Sequence, residues 1–187
     1  MFHDARGLPP MLRSHTVRTL DDRVNLIIRL TWDGEAAFNK RHAPEGGLRD
    51  PRMRQLGLRV TSQCTARDDM CELSAIHEFV KNNVRYTGDI ANKDLFQSAW
   101  RTLQYGGGDC DDMAQVAAVL AMENGFACKF RITSNTGATW DHIFCMAGVP
   151  KGVNRRWVPL DVTLPRGRAG THPPMAKYRD FDIDEPR

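Results

Sequence analysis

The sequence predicts an α+β fold in which a central helix packs on a small antiparallel sheet and a helical part precedes both. Three observations lead to this prediction. Apolar residues recur at spacings of three and four in the first half of the chain, the period of amphipathic helices. The stretch 113–124 is rich in Ala, Leu and Met, which favour helices. Beyond residue 128 apolar and polar residues alternate, as they do in strands.

The helical part is expected to begin near residue 19. Thr19 or Asp21 can cap a helix that continues to about Phe38, and the polar stretch after it, with Pro and Gly, predicts a loop. Pro51 suits the first position of a second helix, which counts Leu58 among its apolar members.

A third helix is predicted over 70–83. Its apolar face is formed by Leu73, Ile76, His77 and Val80. A histidine among apolar neighbours is more often a core or boundary residue whose hydrogen bonds are satisfied within the protein. A turn-rich passage at 87–94 and a short helical piece at 95–103 then lead to a run of three glycines.

The glycine run 106–108 opens the central helix, and Gly125 suits the position just past its end. Cys110 falls at or just before the first turn, where unpaired N–H groups and a partial positive charge stabilise a thiolate. Such thiols can have pKa values of roughly 3.5 to 7.5. Asp111 and Asp112 act in the opposite direction, and the sequence does not show which effect is larger.

Three strands are predicted after the central helix, at 128–133, 141–149 and 155–162, and their short links favour antiparallel pairing. From residue 165 the chain is rich in Pro, Gly and charge, which predicts an extended tail. We therefore expect a helical N-terminal extension at 1–67, a core at 68–165 and an extended tail at 166–187.

Composition and charge exclude several classes of protein. The chain has 187 residues, of which 41% are hydrophobic and 26% charged, as in an ordinary globular protein. Residues 1–67 hold 12 Lys+Arg against 7 Asp+Glu, and residues 68–187 hold 14 against 16. The basic excess is spread out and lacks interleaved aromatic residues, so we infer neither a nucleic-acid nor a membrane partner.

Five cysteines in a chain of this size argue against a disulfide framework and for a reducing compartment, or at least for one free thiol. The N-terminus lacks the pattern of a signal peptide, and no apolar run is long enough to span a membrane. A cytoplasmic protein is therefore expected. The gaps between Cys64, Cys71 and His77 do not fit a zinc site, so we reject a metal site at these residues. Cys128 and Cys145 lie in apolar strand settings and are expected to be buried and inert.

Cys110, His142 and Asp161 follow one another in an order that suits nucleophilic catalysis by cysteine. That chemistry needs a thiolate, an imidazole that takes and returns the proton, and a group that orients the imidazole. His142 and Asp161 fall in neighbouring predicted strands, whose side chains on one face approach within about 5 Å. Both can therefore face the start of the helix that carries Cys110, where Asp161 would favour an imidazolium paired with the thiolate.

The motifs GGGDCDDMA, WDHIF and WVPLDVT, in this order, resemble the transglutaminase-like cysteine peptidase superfamily, in particular its small bacterial and phage-type domains. The similarity covers roughly residues 68–165. It implies a papain-like core with Cys110 as nucleophile, His142 as general base and then acid, and Asp161 as the orienting residue. It also implies a protein or peptide substrate and a thioester acyl-enzyme, formed without a metal or organic cofactor.

Such a reaction needs an oxyanion hole, for which the backbone N–H of Cys110 and the side-chain amide of Gln97 are the candidate donors. The leading hypothesis is a hydrolase acting on a peptide or amide. Acyl transfer to an amine would use the same residues. A third alternative is an interaction module with a vestigial triad, and a fourth is a virion or secretion component that trims a partner. The sequence leaves the oligomeric state open.

Overall fold

The computed structural model describes residues 13–14, 19–38, 43–88, 95–152 and 156–186. The helices are α1 (Leu20–Asp33), α2 (Pro51–Val60), α3 (Asp69–Asn83), α4 (Ala99–Tyr105) and α5 (Cys110–Glu123), with a 3-10 turn at Gly34–Ala37. The strands are β1 (Arg13–Ser14), β2 (Arg85–Tyr86), β3 (Leu95–Phe96), β4 (Gly107–Gly108), β5 (Cys128–Ser134), β6 (His142–Val149), β7 (Arg156–Leu160) and β8 (Lys177–Asp182).

Capping residues set the helix starts. Thr19 accepts a hydrogen bond from the backbone N–H of Asp22 at the start of α1. Asp50 caps α2, with Pro51 at its first position. These starts were predicted from the sequence and are confirmed. Leu58, expected on the apolar side of α2, is instead 51% exposed, because α2 buries Met53 and Gly57.

Helix α5 is the centre of the core. Its residues from Asp111 to Ala121 are all buried. Helices α1, α2, α3 and α4 pack around it, and strand β6 lies against it on the sheet side. The predicted α+β arrangement, a central helix on an antiparallel sheet with helices before it, is confirmed.

The main sheet has four antiparallel strands in the order β7-β6-β5-β8. In its register Thr133 of β5 faces His142, the first residue of β6. Two short ladders pair β1 with β3 and β2 with β4, and the second of them includes two glycines of the glycine run.

Strand β8 corrects the expectation of an extended tail from residue 165 onward. It pairs with β5 along its whole length, from Lys177 opposite Ser134 to Asp182 opposite Lys129. Its side chains are exposed or half-buried, since β8 lies at the edge of the sheet. The strand therefore lacks the apolar alternation that marks buried strands.

A disulfide bond joins Cys64, in the turn after α2, to Cys71 in the first turn of α3. The sequence argument against disulfides was therefore wrong for this pair. The odd number of cysteines left room for one local bond beside free thiols. Cys110 is free and half-buried, and Cys128 and Cys145 are free and buried, as expected. None of the helices in the described ranges is both long and apolar enough to cross a membrane.

Candidate active site

Cys110 is the first residue of α5, as the glycine run and the apolar helix predicted. Asp109 caps the helix, because its carboxylate accepts the backbone N–H groups of Asp111 (3.1 Å) and Asp112 (3.4 Å). The Asp112 carboxylate in turn accepts the N–H of Asp109, which completes a capping box. This network fixes the backbone on either side of the cysteine, because the N–H groups of residues 109, 111 and 112 all donate to the carboxylates of Asp109 and Asp112.

His142 and Asp161 form a hydrogen-bonded pair, with His142 Nε2 2.8 Å from Asp161 Oδ2. The other carboxylate oxygen of Asp161 accepts from the backbone N–H (3.1 Å) and the hydroxyl (2.7 Å) of Thr163. Burial alone would raise the pKa of Asp161, but the hydrogen bonds from His142 and Thr163 outweigh burial and lower it. Asp161 is therefore ionised at neutral pH. It lies just after β7 and not within the strand that the sequence predicted.

Cys110 and His142 line the same small cavity, of about 80 Å³, between α1, α5 and the start of β6. Trp140 and Ile143 are also in its wall. Because Nε2 of His142 is bound to Asp161, Nδ1 is the ring atom left for the thiol.

Burial raises the pKa of the Cys110 thiol to about 12, and the charges of Asp111 and Asp109 act in the same direction. The Ile143 N–H and Arg23 lower it by less. In the competition that the sequence left open, desolvation and acidic neighbours therefore outweigh the helix terminus. At neutral pH the resting cysteine is a neutral thiol.

The carboxyl groups of Asp109, Asp111 and Asp112 lie within 4.8 Å of one another and are buried. Burial raises the pKa of Asp109 to about 8 and that of Asp112 to about 7, and it also raises the pKa of Asp111. Arg23 of α1 lies 3.2 Å from Asp111 and partly balances the cluster. Such a set of oxygens could hold a hard cation, but the capping box and Arg23 already engage it.

A second cavity, of about 320 Å³, lies on another side of His142. Its wall contains Asn135, Thr163, Leu164, Pro173 and Pro174, which are all uncharged. His142 therefore stands between this cavity and the one that contains Cys110. Thr163 and Leu164 come from the segment that directly follows Asp161.

Gln97 is buried, and its side-chain amide is used within the protein. Its Nε2 donates to Asp112 Oδ2 (2.8 Å) and to the carbonyl of Gly107 (3.2 Å). Its backbone N–H donates to the same carboxylate. Both amide hydrogens are therefore engaged. A place for Gln97 in an oxyanion hole stays a prediction, and these hydrogen bonds argue for a role in holding the start of α5.

Two residues near the pair were given no role from the sequence. His77 is buried in α3, as expected, but its ring reaches the backbone of Asp161, with Nε2 3.1 Å from the carbonyl oxygen. Arg23 reaches the acidic cluster from α1 across 88 positions of sequence. Neither belongs to a local motif, so only the tertiary structure could connect them with the site.

Comparison with known proteins supplies the family. The sequence model of the transglutaminase-like superfamily matches residues 54–162, which is more than half of the chain. The chain belongs to the transglutaminase-like superfamily. The matched part of this superfamily member includes Cys110, His142 and Asp161, and it ends one residue after the aspartate. Helix α1, which supplies Arg23, and strand β8 lie outside the match.

A crystal structure described as that of a "Putative Cysteine Protease" from Cytophaga hutchinsonii is similar to this superfamily member, with a TM-score of 0.48 and 18% sequence identity. The similarity covers 71% of this chain and 46% of that protein, so the chain spans less than half of its length. None of the curated proteins matches the sequence.

Proposed function

We propose that this protein is a cysteine hydrolase that cleaves a peptide or other amide bond through a thioester acyl-enzyme. The observation that carries the proposal is the 2.8 Å hydrogen bond between His142 and the buried carboxylate of Asp161, beside a cavity that also contains Cys110. Membership of the transglutaminase-like superfamily supports the same assignment.

Proton transfer to His142 would generate the nucleophile. An ionised carboxylate only accepts hydrogen bonds, so the neutral His142 ring keeps its proton on Nε2, toward Asp161. Its Nδ1 is then free of a proton and can take the one on Cys110 as the sulfur attacks the acyl carbon. Asp161 stabilises the imidazolium that forms. This route suits a neutral resting thiol, since it needs no standing thiolate.

His142 then gives up a proton twice, first to the leaving amine and later to the Cys110 sulfur. The imidazolium of His142 gives its proton to the leaving amine, the C–N bond breaks, and the acyl group stays on the Cys110 sulfur. A water molecule then attacks the thioester while His142 takes one of its protons, and the thiol leaves with that proton. The backbone N–H of Cys110, at the first position of α5, is the proposed donor to the oxyanion.

The test uses a panel of peptide amides and peptidyl vinyl sulfone probes on the intact protein. We expect wild type to hydrolyse a subset of the amides and to carry the probe on Cys110, located by peptide mass spectrometry. Cys110→Ala should lose both activities. Cys128→Ala removes a buried free thiol of β5 and is the matched control, which should keep both.

Three outcomes separate the alternatives. Hydrolysis that persists in Cys110→Ala would contradict the proposed nucleophile. An amide product that accumulates with added methylamine, at the expense of the free acid, would indicate acyl transfer. A protein that neither reacts with the probes nor turns over any amide would favour the interaction module with a vestigial triad.

A further inference from the structure

Helix α3 contacts the segment that carries Asp161 through the side chain of His77. The ring is fully buried, and its Nε2 lies 3.1 Å from the backbone carbonyl oxygen of Asp161. A carbonyl oxygen only accepts hydrogen bonds, so Nε2 carries the proton of a neutral ring. Burial, the largest effect, lowers the pKa of His77 and keeps it neutral. Its Nδ1 has no hydrogen-bond partner among the described residues, and the nearest carboxylate oxygen, on Glu78, is 4.0 Å away.

Lys81, one turn further along α3, holds the same segment at two later points. Its ammonium group donates to the carbonyl oxygens of Leu164 (2.9 Å) and Gly167 (3.1 Å). Helix α3 therefore binds three carbonyl groups between residues 161 and 167. None of these three bonds belongs to a sheet, because β7 ends at Leu160.

The position of Asp161 makes these contacts relevant to the reaction. Its side chain is shared between His142 and Thr163, and the latter belongs to the same short segment. Thr163 can therefore fix the carboxylate relative to the segment, but not the segment relative to the rest of the protein. The hydrogen bond from His77 supplies that connection at the Asp161 backbone itself.

We propose that His77 is a positioning residue, which holds the main chain of Asp161 so that its carboxylate meets His142. Lys81 extends the same hold to Leu164, which forms part of the wall of the uncharged cavity beside His142. The inference rests on the proposed function, because positioning matters only if the pair acts in a reaction. The two residues act at different places, because His77 binds the backbone of Asp161 and Lys81 binds the backbone of Leu164 in the cavity wall.

The test compares His77→Met with His77→Gln. The two side chains have similar lengths, but only Gln retains an N–H group that can reach the Asp161 carbonyl. We expect His77→Met to lower kcat at least tenfold with KM little changed, and His77→Gln to recover most of the loss. If His77→Gln is as slow as His77→Met, or if both equal wild type, the proposal is wrong.

A second measurement does not depend on activity. In the proton NMR spectrum, the His142 ring N–H bonded to Asp161 should shift or broaden in His77→Met and return in His77→Gln. In wild type, the nitrogen shifts of His77 should show a neutral ring protonated on Nε2. A charged ring or the opposite tautomer would overturn the proposal even if His77→Met does not fold. A shifted His142 signal in a protein without any turnover would keep the positioning role and contradict the proposed function alone.

Discussion

Asp161→Asn is the most informative single substitution at this site, because the two shapes are nearly identical and the hydrogen-bonding character is not. Asp161 Oδ1 accepts two hydrogen bonds from Thr163, and Oδ2 accepts one from His142. An Asn side chain has one oxygen and one NH2 group for these two places. The backbone N–H of Thr163 can only donate, so it requires the oxygen, and the NH2 group then faces His142.

This orientation changes the tautomer of His142. Facing an NH2 group, its Nε2 must accept, and the ring proton moves to Nδ1, where it blocks transfer from Cys110. The opposite orientation of Asn leaves two donors in contact and costs about 1–3 kcal/mol. Only about one molecule in 5 to 150 would then hold the productive tautomer, and the imidazolium would also lose its carboxylate. We expect kcat to fall by about 10² to 10⁴, or ~3–5 kcal/mol of barrier.

The rate constant for labelling of Cys110 by the best vinyl sulfone probe, at pH 7, measures this effect without a natural substrate. Asp182→Asn removes an exposed carboxylate at the end of β8 and serves as control, with an unchanged rate. Thermal unfolding of both variants should stay cooperative. A rate for Asp161→Asn within a factor of ten of wild type would refute the tautomer argument, and with it the orienting role of Asp161.

Three further predictions concern stability. The free energy of unfolding should fall by about 6 kcal/mol between pH 5 and pH 8. The carboxyls of Asp109 and Asp112 keep their protons in the folded state (pKa about 8 and about 7) and lose them on unfolding, and each pKa unit corresponds to about 1.4 kcal/mol. Asp109→Asn can still cap α5, but it removes one of the two titrating groups, so the urea midpoint should change less with pH than in wild type. An equal change of the midpoint with pH in both proteins would contradict the role of Asp109. The Cys64→Ser/Cys71→Ser double variant should have a free energy of unfolding about 2 kcal/mol lower than wild type, because the wild-type disulfide closes a short loop with a sequence separation of 7. Equal urea midpoints for the two proteins would contradict this stabilisation. Gly108→Ala should lower the free energy of unfolding by about 1–3 kcal/mol, because the added Cβ would lie 2.6 Å from the Cβ of Asp112 in the capping box. Gly107→Ala is the control. Its added Cβ would meet no atom closer than 3.4 Å, so it should change the free energy of unfolding by less than about 0.5 kcal/mol.

The sequence was sufficient wherever a local pattern sets the structure. Thr19 and Pro51 mark helix starts through interactions within a few residues, so their positions could be predicted. Cys110 was placed at a helix start for the same reason, since three glycines and a capping aspartate precede an apolar run. Chain order and strand alternation also brought His142 and Asp161 to adjacent strand ends.

Features that depend on tertiary packing could not be predicted in this way. Strand β8 carries four charged residues in all and a single aromatic residue on each face, so it is recognisable only from its pairing with β5. The bond between Cys64 and Cys71 depends on how the turn after α2 brings two cysteines together, which a count of cysteines does not reveal. His77 has the environment of an ordinary core histidine, and its contact with Asp161 spans 84 positions.

The state of Cys110 shows why residue types alone do not define a reactive thiol. A helix start and a nearby histidine favour the thiolate, yet burial and the acidic neighbours raise the pKa of Cys110 to about 12. On the proposed route the sulfur becomes nucleophilic only while His142 takes its proton, so that route depends on the hydrogen bond between His142 and Asp161 for the tautomer of the ring as well as for its orientation.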